Sequence, residues 1–145
     1  MTINYVSGNI LLSDAHAIVI PVNTMGIAGA GLAKAWATKD PVAAGIYKSL
    51  CEKNMLVVGK VTTINGDSVY FLFPTKEHWK NPSRIEWIKC GLIDLCKHAG
   101  NVRSLAVPAL GCGLGGLSWR DVEPLIQQYM SGLSIPVHIY PPRFL

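Results

Sequence analysis

Residues 15–22 read AHAIVIPV, and residues 103–110 read RSLAVPAL. Neither run alternates apolar with polar side chains, so neither suits a strand with one face in water. Apolar side chains at both odd and even positions describe a strand covered on both faces. Such strands belong to a sheet that carries helices on each side, and the remaining segments have to supply them.

They do so in alternation. A first strand is expected near residues 2–7. Residues 26–31 form a glycine loop ahead of a helical stretch over 32–39. Asp40-Pro41 reads as an N-cap followed by proline at the first helical position, opening a helix over residues 41–54. Residues 60–73, KVTTINGDSVYFLF, read as two strands about Asn65-Gly66, a strong hairpin signal, the second ending at Phe73-Pro74. SRIE at 83–86 reads as a capping box, with Ser83 at the N-cap and Glu86 at N3. The helix behind it puts Ile85, Ile88, Leu92, Leu95 and Ala99 on one core-facing side. A last helix spans 122–130. Pro124 would break a helix begun at Trp119, whereas Asp121 as N-cap leaves the proline in the first turn. The closing strand is PVHIY, residues 136–140. The expected fold is α/β: one domain over residues 1–145, a three-layer α/β/α sandwich around a mixed central sheet.

Composition narrows the function. The 145 residues are 50% hydrophobic and 15% charged, which describes a globule with a core. A net charge of +4 favours an anionic ligand without by itself marking a nucleic-acid binder. No apolar run is long enough for a membrane span, and the start lacks the basic and apolar regions of a signal peptide. Cys51, Cys90, Cys96 and Cys112 form no CxxC pair and the histidines are scattered. That pattern points to reduced thiols in a cytoplasmic protein, with no metal site and no cofactor. A monomer is the default expectation.

Ligands of such sheets lie outside the carboxyl ends of the strands. Three unusual segments fall there: residues 23–31, 74–79 and 111–119. Two of them are glycine loops between an apolar strand and a helix. Such loops aim successive backbone N–H groups at one spot and suit phosphate; two loops suit a diphosphate. GCGLGG at 111–116 matches GxGxxG, but the next acids, Asp121 and Glu123, follow too closely for a dinucleotide-binding unit. No GK[ST] exists, so the first loop is not a P-loop.

VSGNILLSDAHAIVIPVNTMGIAGAGLAKAW, residues 6–36, resembles the opening of a macrodomain. FPTKEHWKNPSR and VPALGCGLGGLSWRDVEPLI are similar to the DarG-type branch, the DNA ADP-ribosyl glycohydrolases, which also includes a human terminal ADP-ribose glycohydrolase. The resemblance implies an ADP-ribose ligand and removal of ADP-ribose from thymidine in single-stranded DNA, reversing a DarT-type toxin. It puts the chemistry on Lys76, with Asn23 holding the distal ribose. The lysine acts either unprotonated, as nucleophile or Schiff-base former, or charged, as electrostatic stabiliser. The resemblance assigns Asn9 to the adenine amino group and counts Ile10 among the ADP-ribose contacts. Met25, Gly26, Gly29, Ala30 and Gly31 fall near the distal ribose and its phosphate, and Leu32 and Thr75 are further expected ADP-ribose contacts. Gly111, Cys112, Gly113, Leu114, Gly115 and Gly116 wrap the diphosphate.

His78, Trp79, Lys80 and Arg84 are the expected DNA contacts, read against a plainer assignment of Trp79 to the core. Trp119 reads as packing, and no histidine is evident to activate Cys112 as a nucleophile. Two positions depart from relatives: the second loop lacks the acid of the human enzyme, and Ala30 stands where many relatives carry lysine. The competing functions are an ADP-ribose reader without catalysis and a hydrolase of O-acetyl-ADP-ribose, ADP-ribose 1″-phosphate or other NAD-derived nucleotides. Relatives in toxin–antitoxin pairs often carry a further C-terminal domain, so this chain reads as lacking it or as part of a longer protein.

Overall fold

The computed structural model describes residues 3–142. In chain order the elements are β1 (Ile3–Tyr5), a 3-10 turn (Ile10–Leu12), β2 (Ala17–Asn23), α1 (Gly31–Lys39), α2 (Pro41–Glu52), β3 (Thr62–Asn65), β4 (Val69–Lys76), α3 (Ile85–Ala99), β5 (Leu105–Val107), α4 (Trp119–Met130) and β6 (Val137–Ile139). One sheet of six strands runs β1-β6-β5-β2-β4-β3. Every neighbouring pair is parallel except β3 and β4. The chain is therefore the expected mixed sheet between helical layers.

The parity of β2 shows why its sequence does not alternate. Ala17 and Val19 enter a core with Phe71, Phe73, Leu105 and Val107 against Ile88, Leu92, Val122 and Ile126 of α3 and α4. Ile18, Ile20 and Val22 enter a second core with Tyr70, Leu72 and Ala106 against Trp36, Ala43 and Tyr47 of α1 and α2. A slip of one residue would exchange the two sets, so both cores specify the register. α3 packs closest at Gly91, where an added Cβ would lie 2.3 Å from the Phe73 ring. No helix among the described residues is long and apolar enough to cross a membrane.

Several boundaries differ from the sequence reading. The first strand is shorter, since beyond Tyr5 only the Val6 amide reaches β6, at Ile139 O, 2.8 Å; Thr2 lies outside the described residues. α2 stops at Glu52, and Asn54 follows with φ 56°, a left-handed value that asparagine tolerates at a helix end. The hairpin loop holds three residues, because Asn65 pairs with Val69. Gly66 has no positive φ there. It is needed for space: a Cβ would sit 2.5 Å from Asp40 Oδ2 and 3.1 Å from Ala43 Cβ.

β4 runs past Pro74 to Lys76, because the ladder to β2 continues around a bulge. α4 begins at Trp119, not after Asp121: Ser118 is the cap and its Oγ accepts from Arg120 N at 3.2 Å. Pro124 is tolerated inside the helix because it lies on the exposed side, where the carbonyl it leaves unpaired can face solvent. Arg84, not Ser83, caps α3, without a side-chain bond.

Asp40 joins the second core to the hairpin. Only 5% exposed, its carboxylate accepts from Ala43 N (3.1 Å), Asp67 N (2.8 Å) and Tyr70 Oη (3.1 Å). Burial by itself would raise its pKa. The Asp67 and Ala43 amides, the Tyr70 hydroxyl and nearby Lys39 outweigh that and hold it below 3.8. A depressed native pKa stabilises the fold above the unfolded value and is lost as pH falls through the native one. Asp40→Asn turns an NH2 toward donors, so it should cost about 2 kcal/mol at pH 7 in denaturant unfolding. The gap to wild type should narrow below about pH 4.

Candidate active site

The carboxyl ends of the five parallel strands share one edge of the sheet, and the unusual segments emerge there. β5 pairs with β2 only at Ala17↔Leu105 and Ile18↔Ala106. Beyond that point β2 continues to Asn23 with β4 as its one partner. The chain leaves β2 toward α1 on one face and leaves β5 toward α4 on the other. Neighbouring strands that feed opposite faces open a crevice between their loops.

At the end of β2 the register shifts between Val22 and Asn23. Val22 faces Pro74 and Asn23 faces Lys76, which leaves Thr75 as the extra residue of a bulge. The bulge sets Lys76 directly beside Asn23. Thr75 itself is 6% exposed, so it shapes this edge from within. Asn23 is 8% exposed and largely engaged. Its Oδ1 accepts from Met25 N (3.0 Å), Ile27 N (3.3 Å) and Tyr47 Oη (2.9 Å), and its Nδ2 donates to Ile27 O (2.8 Å). The second amide hydrogen of Nδ2 has no acceptor among the described residues. Burial, then neighbouring Cys51, push the Tyr47 phenol above its ordinary pKa, so it remains a donor.

The sequence reading missed Tyr47. A tyrosine on the apolar side of a helix reads as core, and only the packing of α2 brings its hydroxyl to Asn23.

The first glycine loop is pinned to α2. Gly26 has φ +79°, and a Cβ there would lie 3.2 Å from Cys51 Cβ and 3.3 Å from Lys48 Cα. The loop ends at Ala30, which caps α1 without a side-chain bond; no acid stands in the first turn. Helix-start amides left this way favour an anion. Gly29, Ala30 and Gly31 are all exposed, as a backbone contact surface requires, and Leu32 is half-buried behind them.

The second loop turns back on itself. Leu117 N donates to Gly111 O at 2.9 Å and Gly116 N to Gly113 O at 3.1 Å, with Gly111 and Gly116 at φ +73° and +79°. Among the described residues the amides of Gly113, Leu114 and Gly115 donate to no backbone carbonyl outside the helices and strands. Consecutive amides without such a partner are available to an anion. The Leu114 side chain stands out at the rim, 76% exposed.

At the far end, Asn9 caps the 3-10 turn, its Oδ1 accepting from Leu11 N at 3.0 Å. The oxygen keeps a second lone pair for a ligand. Ile10 is 5% exposed, so its side chain belongs to the core. Beside Asn9, a cavity of about 310 Å³ is lined by Ser7, Gly8, Pro141 and Pro142.

Lys76 Nζ donates to the Trp79 carbonyl at 3.2 Å. The Trp79 side chain is 47% exposed, so it is a rim residue and not core. His78 stacks against it at 5.7 Å and Lys80 Nζ lies 5.1 Å from its ring centroid. Arg84 instead lies over Trp87 of α3, 5.3 Å from the ring centroid. Trp119 packs partly buried against the α3–α4 core, as its sequence context suggests.

Burial pushes the Cys112 thiol up to about 11, so it stays protonated at neutral pH and is a poor nucleophile. Iodoacetamide at pH 7.5, followed by peptide mass spectrometry, should therefore label exposed Cys90 well before Cys112.

Comparison with known proteins agrees with this geometry. The family model "Macro domain" matches residues 19–126. The DNA ADP-ribosyl glycohydrolase of Mycobacterium tuberculosis is 36% identical over 97% of this chain. A DNA ADP-ribosyl transferase–DNA ADP-ribosyl glycohydrolase fusion protein of Thermosipho africanus is 37% identical over 97%. The chain spans 42% of the length of each of these two relatives. Among solved structures, the macrodomain of Mycobacterium tuberculosis DarG superposes with TM-score 0.94 at 36% identity, over 97% of both chains. Thermosipho africanus DarTG in complex with ADP-ribose superposes with TM-score 0.93 at 37% identity, over 98% of this chain and 42% of that one. With its sheet order, its two glycine loops and these identities, the chain belongs to the macrodomain family, in the DarG branch.

Proposed function

We propose that this chain is a DNA ADP-ribosyl glycohydrolase that frees ADP-ribose from thymidine in single-stranded DNA, undoing the work of a DarT-type transferase. The observation that carries this reading is the alignment of Lys76 with the buried Asn23 at the end of a crevice lined by two anion-accepting loops. The names of the Mycobacterium and Thermosipho relatives support the activity, and the ADP-ribose in the Thermosipho complex supports the ligand.

In this reading the adenosine end lies by Asn9 and the cavity at Ser7 and Pro141. The diphosphate spans the amides of residues 113–115 and the start of α1. The distal ribose meets the remaining Asn23 amide hydrogen and Lys76. Hydrolysis breaks the bond between the anomeric carbon and the base nitrogen. Water supplies the hydroxyl that joins the carbon and the proton that the base takes up. Lys76 acts at the anomeric centre by whichever of its two roles applies. The base must stand outside a stack to reach this edge, which favours single strands. Trp79, with His78 and Lys80, offers the neighbouring bases a stacking face and the phosphates a charge.

The test is a single-stranded oligonucleotide bearing ADP-ribosyl-thymidine, with release of ADP-ribose followed by chromatography. Wild type should release it, and Lys76→Ala should be slower by at least about 100-fold while still binding ADP-ribose. Borohydride trapping of a lysine adduct would assign Lys76 the Schiff-base role; its absence alongside full turnover would assign the electrostatic one. ADP-ribose binding without release would make the chain a reader and overturn the hydrolase proposal. Trp79→Ala should raise KM for the oligonucleotide by about tenfold and leave the Kd for ADP-ribose unchanged.

A further inference from the structure

Ser83 looks like a helix cap in the sequence, yet it does not act as one. Arg84 takes the cap position of α3. Ser83 is 6% exposed, and its Oγ has no hydrogen-bond partner. Its amide donates to Gly115 O at 2.9 Å. A Cβ added to Gly115 would come within 2.5 Å of Ser83 Oγ, and one added to Gly111 within 3.4 Å of Ser83 Cβ. The side chain therefore fills the space behind both ends of the second glycine loop.

A buried hydroxyl without a partner weakens the free protein, and alanine would occupy nearly the same space without that penalty. A hydroxyl in this place makes sense if it gains its partner in another form of the loop. The Gly111 carbonyl is the acceptor at hand. It too lies 2.5 Å from the Cβ position of Gly115, and it now accepts only from Leu117 N. A carbonyl has two lone pairs and can take a second donor.

We infer that Ser83 is a positioning residue for the second glycine loop: its hydroxyl bonds the Gly111 carbonyl when the loop closes on a diphosphate. The inference rests on the reading of this loop as the ADP-ribose diphosphate site. Ser83 also lies on the segment that leaves β4 at Lys76, so the contact ties diphosphate capture to the chain next to the lysine.

Calorimetry with ADP-ribose and thermal unfolding with and without it test this on wild type, Ser83→Ala and Ser83→Thr. Ser83→Ala should leave the Tm of the free protein unchanged or slightly higher. It should weaken ADP-ribose binding about tenfold and shrink the ligand-induced rise in Tm. Ser83→Thr, which keeps the hydroxyl, should bind within about threefold of wild type. A Ser83→Ala protein with lower free Tm and unchanged Kd would overturn the inference and leave Ser83 as packing. A wild type that does not bind ADP-ribose would overturn the ligand reading as well, which separates the two failures.

Discussion

The site depends on the early parting of β2 from β5. Their ladder ends at Ile18 and Ala106, yet β2 runs on to Asn23. Parallel strands that feed helices on opposite faces leave a gap between their loops, because the chain turns away on each side. The parting opens the crevice, and the two glycine loops become its walls. Pro21 lies in the stretch of β2 without a β5 neighbour, where a missing N–H costs no bond on that side.

Within the crevice, the candidate groups are already committed structurally. Asn23 spends most of its hydrogen-bonding capacity on the first loop and on Tyr47, and so holds the loop with one amide hydrogen to spare. Lys76 reaches the same level through the bulge at Thr75. Each of the two candidates is thus oriented by neighbouring groups within the protein. This is the arrangement that pre-organises a site before the ligand arrives.

Much of this was legible in the residues. Apolar runs without alternation marked β2 and β5, and Asp40-Pro41 marked the start of α2. Less legible were features whose cause lies far along the chain. Gly66 looked like a turn residue chosen for φ, but it is small because Asp40 and Ala43 lie against it. Ser83 looked like a cap, and its place is set by the glycine loop some 30 residues later. Trp79 could have been core or rim until packing left its ring at the surface.

The sequence by itself determined the two-faced sheet, the order of strands and helices and the two glycine loops, since periodicity, caps and turn residues act over a few neighbours. It also held the motifs by which Lys76 and Asn23 stood out. Only the tertiary structure decided that Lys76 aligns with Asn23, that Tyr47 completes that corner and that Ser83 backs the second loop. Those contacts join segments distant in sequence, and sheet register and helix packing alone set the distances between them.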